Sequence, residues 1–227
     1  MTLTLLAWIS LAIAFASASV ILIDEIRHPQ KMNVMNVVWP ISALYFSLFA
    51  VWAYFRIGRK KAKDALTLSE DKSDTDVPPT ATQVAVGTSH CGAGCTIADV
   101  FTEFGIAAAG VTLFGSILWT EYLLDFIAAW AVGIAFQYFA IKPMRDDLSP
   151  AKAICAAIKA DTLSITAFQI GMYAWMALVF FKLFPAPHLT PFDPRYWLMM
   201  QIAMVCGFIT SFPMNRFLIG KGLKERM

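Results

Sequence analysis

The stretch "LTLLAWISLAIAFASASVILI", residues 3–23, carries no charged side chain and is long enough to cross a bilayer as one helix. A crossing takes ~20 apolar residues at ~1.5 Å rise each. The run is longer than the apolar core of a cleaved leader, about 7–15 residues, and no basic segment precedes it. A retained first span is therefore expected. Five further runs of similar character follow, over Val34–Phe55, Ile97–Ser116, Glu121–Ile141, Asp161–Phe184 and Trp197–Ile219. The fold class expected is an all-α integral membrane bundle of about six transmembrane helices.

Composition supports this class. Of 227 residues, 58% are hydrophobic and 15% charged, whereas charged residues make up roughly a quarter of soluble domains. The net charge of +2 gives no reason to expect a nucleic-acid partner. Four irregularly spaced cysteines do not make a secreted disulfide scaffold.

Basic residues set the expected sidedness, because cytoplasmic flanks collect Lys and Arg. Arg56, Arg59, Lys60, Lys61 and Lys63 follow the second run. Lys142, Arg145 and Lys152 follow the fourth, and Arg216, Lys221, Lys224 and Arg226 close the chain. With six spans both termini are cytoplasmic, in a plasma (inner) membrane. Asp24–Met35 then falls outside although it holds Arg27 and Lys31. Residues 1–56 form an N-terminal helical hairpin, 57–88 a polar linker expected to be disordered, and 89–227 a four-span domain. "SPAKAICAAIKAD" opens a helix expected to lie at the cytoplasmic interface and lead into the fifth span, with Ser149 as N-cap and Pro150 at the first helical position.

"SHCGAGCT", residues 89–96, places His90, Cys91 and Cys95 together around Gly92 and Gly94. Thr96 and Asp99 fit a capping box for the next helix, so the segment reads as a cytoplasmic His-Cys-x3-Cys loop ahead of a helix N-terminus. Thiolate and imidazole are soft or borderline donors suited to Cu(I) or Zn(II). Met172 and Met176, and Met200 and Met204, are paired at i, i+4, which puts each pair on one helix face. Thioethers favour Cu(I), although methionine is also a common filler of apolar cores. Asp99, Glu103, Asp125 and Asp161 lie within or beside apolar runs, where ionisable groups are costly and mark function. Small-residue pairs, Gly105 with Ala109 and Ala129 with Gly133, are suited to close helix packing.

"MNVVWPISALY", "HCGAGCT", "FQYFAIKPM", "IKADTLSITAFQIGMYAWMALV" and "MMQIAM" resemble segments of the bacterial and archaeal membrane proteins catalogued as domain of unknown function 4396. The resemblance implies a membrane architecture and a shared His90–Cys91–Cys95 pattern, and it carries no activity. The function expected from the residues is a non-enzymatic one. The protein would bind, and translocate or deliver, a soft metal ion, Cu(I) ahead of Zn(II), exchanging it with a cytoplasmic donor or acceptor protein. Its bundle would be embedded in lipid, alone or as a homo-oligomer. Two other classes fit the same residues: a membrane thiol-redox protein using Cys91 and Cys95, and an assembly subunit of a larger membrane complex.

Overall fold

The computed structural model describes residues 2–61, 78–113, 115–144 and 149–224. The described residues form seven α-helices: α1 (Thr2–Arg27), α2 (Met35–Phe46), α3 (Leu48–Ala53), α4 (Ala81–Ala109), α5 (Ile117–Met144), α6 (Pro150–Leu178) and α7 (Pro194–Gly220). A π-helical turn over Tyr54–Gly58 and a 3-10 turn over Arg59–Lys61 extend α3, and a second π turn, Val179–Leu183, extends α6. The described residues form no β-strand, and Leu113 and Ser116 meet in an isolated bridge.

Among the described residues four helical segments are long and apolar enough to cross a membrane: Thr2–Arg27, Ile117–Ala140, Pro150–Leu183 and Pro194–Gly220. Their outward faces carry Leu5, Trp8, Phe15, Phe139, Ile170 and Ile209, all more than half exposed. A continuous apolar exterior of this kind suits lipid as solvent. The buried stripe of α1 is instead built from small residues, with Ala7, Ala14 and Ser17 ahead of Ile21, so that its neighbours approach closely.

Two of the six expected spans come out differently. Val34–Phe55 does not run straight. α2 is 12 residues long, ~18 Å at 1.5 Å per residue, too short for a core of ~30 Å. It ends at Ser47, whose φ of 48° is uncommon for a non-glycine residue. The chain then turns back. Trp39 on α2 meets Tyr54 beyond α3 with ring centroids 5.7 Å apart. The Tyr54 hydroxyl donates to Asp24 Oδ2 at 2.7 Å, and Arg59 pairs with the same oxygen at 3.1 Å. Asp24 lies in the last turn of α1, so α2 and α3 form a hairpin that enters and leaves on one side. Broken helices at such depth are tolerated where protein buries them.

The run Ile97–Ser116 begins inside a longer helix that ends at Ala109. α4 begins at Thr80, whose side chain accepts from Gln83 N while Gln83 Oε1 accepts from Thr80 N. This is the capping box; Thr96 and Asp99 are interior to the helix, because Thr80–Gln83 supplies a complete cap earlier. Residues 81–88, expected in the linker, are therefore helical. The disorder expected of 65–77, and the charges Lys63, Arg145 and Arg226, lie outside the described residues.

α4 to α7 alternate in direction. α6 and α7 approach closely where Gly171 and Gly207 leave no room for a β-carbon, against Cys206 O and Phe168 respectively. Thr210 and Ser211 add hydrogen bonds to the carbonyls of Ala167 and Ser164, at 2.7 and 3.0 Å. Gly94 faces the backbone of Gly133 between α4 and α5. Tyr122 and Tyr173 stack with centroids 4.0 Å apart, each hydroxyl donating to the other's carbonyl at 2.6 and 2.7 Å.

The first turns of α1 lie beside the first turns of α7, where Ser10 donates to Gln201 Oε1 at 2.6 Å. The start of α1 and the end of α7 thus sit at opposite ends of the bundle. The expected placement of both termini on one side requires α2–α3 to cross. Arg27, Arg59 and Lys221 all gather at the Lys224 end, and among the described residues Lys182 and Arg195 flank the other.

Candidate functional site

α4 presents Cys91, Cys95, Asp99 and Glu103 at successive i+4 positions, each at most 2% exposed. That spacing stacks side chains along one helix face. The expected His-Cys-x3-Cys loop is therefore helix interior. Its glycines serve approach rather than turning: Gly92 faces the Tyr45 hydroxyl at the tip of the α2–α3 hairpin, and Gly94 faces Gly133. α5 answers with Asp125, Ala129, Gly133 and Gln137 at the same spacing, all buried. The result is a column of polar and soft groups through an apolar bundle.

At the Lys224 end, Cys91 Sγ lies 3.2 Å from Asp161 Oδ1 and 3.0 Å from Ser164 Oγ. The Lys224 ammonium completes the group, donating to Cys91 Sγ at 2.9 Å, Asp161 Oδ1 at 3.3 Å and Ser164 Oγ at 3.4 Å. Ser164 also donates to Asn215 Oδ1 at 2.9 Å. The Lys224 and Asp161 side chains are fully enclosed. Gly133 makes room for this carboxylate, since a methyl there would strike Asp161 Oδ2 and Ile165.

In the middle, Cys95 belongs to one buried apolar cluster with Met172, Met176, Met200 and Met204. The i, i+4 pairs predicted on α6 and α7 are thus brought into a common core with one of the two predicted thiols. Cys91 is instead held in the Lys224 group. His90 is buried with its ring against Phe136, centroids 5.6 Å apart, and neither ring nitrogen has a hydrogen-bond partner. All four cysteines are free. Among the described residues, no three side chains of His, Cys, Asp and Glu come together as a group that could hold a metal ion. Any metal site here draws on methionine sulfur or on fewer protein ligands of other types.

Toward the far end the carboxylates gather. Thr102 donates to Asp125 Oδ1 and to the carbonyl of Ala98. Both oxygens of Asp99 and Oε2 of Glu103 are buried without a hydrogen-bond partner. Unpartnered polar groups in an apolar interior cost free energy, and in membrane segments they mark function. Glu103 and Glu121 line a cavity of about 230 Å³ at this end, with Tyr196, Met176 and His188. Asp99, Tyr45, Met200 and Met204 line a second, of about 330 Å³, between α1, the hairpin tip, α4 and α7. Cavities therefore reach the column at Glu103 and at Asp99.

Asp99, Glu103, Asp125 and Asp161, the interior candidates of the sequence, are all buried. Lys224, Ser164 and Tyr45 join the site without being singled out by hydropathy or spacing. A cue for Lys224 was present in "GKGLK": Gly222 adopts φ 66°, and Leu223 N bonds Leu218 O at 2.9 Å, folding the chain end back toward α7. Of the small-residue pairs, Ala129 and Gly133 are buried between helices, whereas Gly105 and Ala109 face outward with nothing near Gly105.

No curated protein and no solved structure matches the chain. The family model described as "Domain of unknown function (DUF4396)" matches residues 80–224, which begin at the α4 cap and end at the lysine that closes on Cys91. Helices α4 to α7 and the whole buried column fall within that match, and the chain belongs to the DUF4396 family.

Proposed function

We propose that this protein binds a soft cation, Cu(I) ahead of Zn(II), and passes it across a membrane through the interior of α4 to α7. The observation that carries the proposal is the buried ladder Cys91–Cys95–Asp99–Glu103, flanked at its centre by Met172, Met176, Met200 and Met204. Thiol and thioether donors suit Cu(I), and the carboxylates supply negative charge and proton acceptors along the rest of the column. Cavities at Glu103 and Asp99 give the ion access from the far end.

In this proposal α1, α4, α5, α6 and α7 cross the bilayer and α2–α3 is re-entrant. Five crossings place the start of the chain outside and Lys224 in the cytoplasm of a plasma membrane, where the concentration of Lys and Arg belongs. Arg27 and Lys31 then fall on the cytoplasmic side with Arg59, consistent with the charge rule. A cytoplasmic metal donor or acceptor protein would meet the Lys224 end.

The thiol-exchange alternative requires a sulfur that a partner thiol can attack, and Cys91 and Cys95 are fully enclosed. The proposal is tested by competing Cu(I) between the purified protein and a chromophoric Cu(I) chelator. Retention of Cu(I) is expected in the wild type, with strong loss in Cys95→Ser combined with Met200→Leu and Met204→Leu. Absence of Cu(I) retention by the intact, folded protein would overturn it.

A further inference from the structure

The enclosed group around the Lys224 ammonium has the form of an occupied cation site. Nζ sits 2.9 Å from Cys91 Sγ, 3.3 Å from Asp161 Oδ1 and 3.4 Å from Ser164 Oγ, so three donors from α4 and α6 converge on one positive charge. Asp161 Oδ2 is buried with no hydrogen-bond partner, leaving further coordinating capacity in the same group. Ser164 is itself held by Asn215 and Ser211 of α7, so the donor set is braced from behind by side chains that make no bond to the lysine.

Lys224 does not belong to any of these helices. It lies four residues past the end of α7 and returns through the Gly222 turn, with its own N–H on Leu218 O at 3.3 Å. Its occupancy therefore depends on the turn after Gly220 and not on the packing of the helices that carry the donors. A strongly hydrated ammonium is costly to bury, and only the paired charge and hydrogen bonds at this place offset that cost.

We infer that Cys91, Asp161 and Ser164 form a monovalent-cation site at the Lys224 end of the bundle, and that Lys224 is its tethered resident, displaced when a free cation binds. The inference rests on the proposed passage of Cu(I) and names the step at which the ion and the protein's own cation exchange. An ion of charge +1 replaces the ammonium without changing the charge of the group, so exchange leaves no uncompensated buried charge. Lys224 thereby closes the column at this end when no ion is present. It also sets a threshold: the apparent affinity for the ion falls by the fraction of molecules in which the lysine has vacated the site.

Two readouts on the full-length protein test this. The first is alkylation of Cys91 by N-ethylmaleimide, in a chain carrying Cys95→Ser, Cys155→Ser and Cys206→Ser. The second is Cu(I) affinity by chelator competition in the otherwise native chain. Lys224→Ala is expected to raise Cys91 labelling roughly tenfold or more and to tighten Cu(I) binding by a similar factor. Because Lys224→Ala leaves Asp161 unpaired, Lys224→Ala/Asp161→Asn serves as the folded control, with the same rise in labelling and no gain in Cu(I) affinity. Unchanged labelling in either folded variant would overturn the inference. Raised labelling with no Cu(I) bound by any form would leave Lys224 as the closure and remove Cu(I) as the ion.

Discussion

Tyr54 and Asp24 are joined by a 2.7 Å hydrogen bond across 30 residues of sequence. Asp24 lies in the last turn of α1 and Tyr54 follows α3, so this bond fixes the second apolar segment as a hairpin that returns to its own starting side. The hairpin brings Tyr45, at its tip, against Gly92 of the α4 ladder. This one contact thus holds the hairpin closed and decides which residue of its tip meets the buried column.

The first prediction follows from that contact. Reporter fusions ahead of α1 and after Lys224 should report opposite sides of the membrane, and a fusion in the loop near Lys31 should report the same side as the C-terminal one. Identical signals from the two termini would mean that Val34–Phe55 crosses.

Glycine substitutions separate packing positions from open ones. Gly133→Ala should destabilise by ~1–3 kcal/mol, the usual cost of overpacking, because the new methyl meets Ile165 and Asp161. Gly105→Ala, on the open outer face of α4, should be neutral or stabilise by up to ~1 kcal/mol, the backbone-entropy gain within a helix. Thermal unfolding in detergent compares the two, and equal shifts would contradict the α4–α5–α6 packing described.

At the far end, Asp193 caps α7 by accepting from Arg195 N at 2.9 Å, and it pairs with the Arg195 side chain. Hydrogen bonding to Arg195 holds the Asp193 carboxyl below its ordinary value. A depressed folded value means the contribution is complete above the unfolded value, ~4, and is lost as pH falls through the lower folded value. Asp193→Ala should therefore cost ~0.5–2 kcal/mol at neutral pH, with the difference from wild type shrinking toward pH 3. A pH-independent difference would assign the loss to something other than the carboxylate.

How far the sequence reveals this arrangement varies by element. The apolar runs, the buried carboxylates Asp125 and Asp161, and the pairing of methionines on α6 and α7 are visible from hydropathy and helical spacing alone. The α2–α3 hairpin is not, because Val34–Phe55 has the composition of a span. Pro40 within it gives no reliable signal, since membrane helices tolerate proline. The glycines of "HCGAGC" suggest a loop because glycine permits turns. Their use here, admitting Tyr45 and Gly133, depends on neighbours distant in sequence. Lys224 reads as a solvated terminal charge until the Gly222 turn places it on Cys91.

Methionine's part in the column can be separated from packing. Met200→Leu with Met204→Leu should change stability by less than ~1.5 kcal/mol per site, because volume is nearly conserved, yet should weaken Cu(I) binding markedly, since leucine offers no donor. Unchanged Cu(I) binding at matched folding would make both residues filler of the core.

Passage of the ion itself is the central claim. The direct measurement is Cu(I) uptake into proteoliposomes containing the full-length protein and a luminal Cu(I) indicator, beside protein-free vesicles and a Cys95→Ser/Asp125→Asn variant. The account predicts uptake that saturates with Cu(I), depends on the protein, and falls to the protein-free rate in the double variant. Uptake equal in all three preparations, with the protein folded and inserted, would contradict a cation path through α4 to α7.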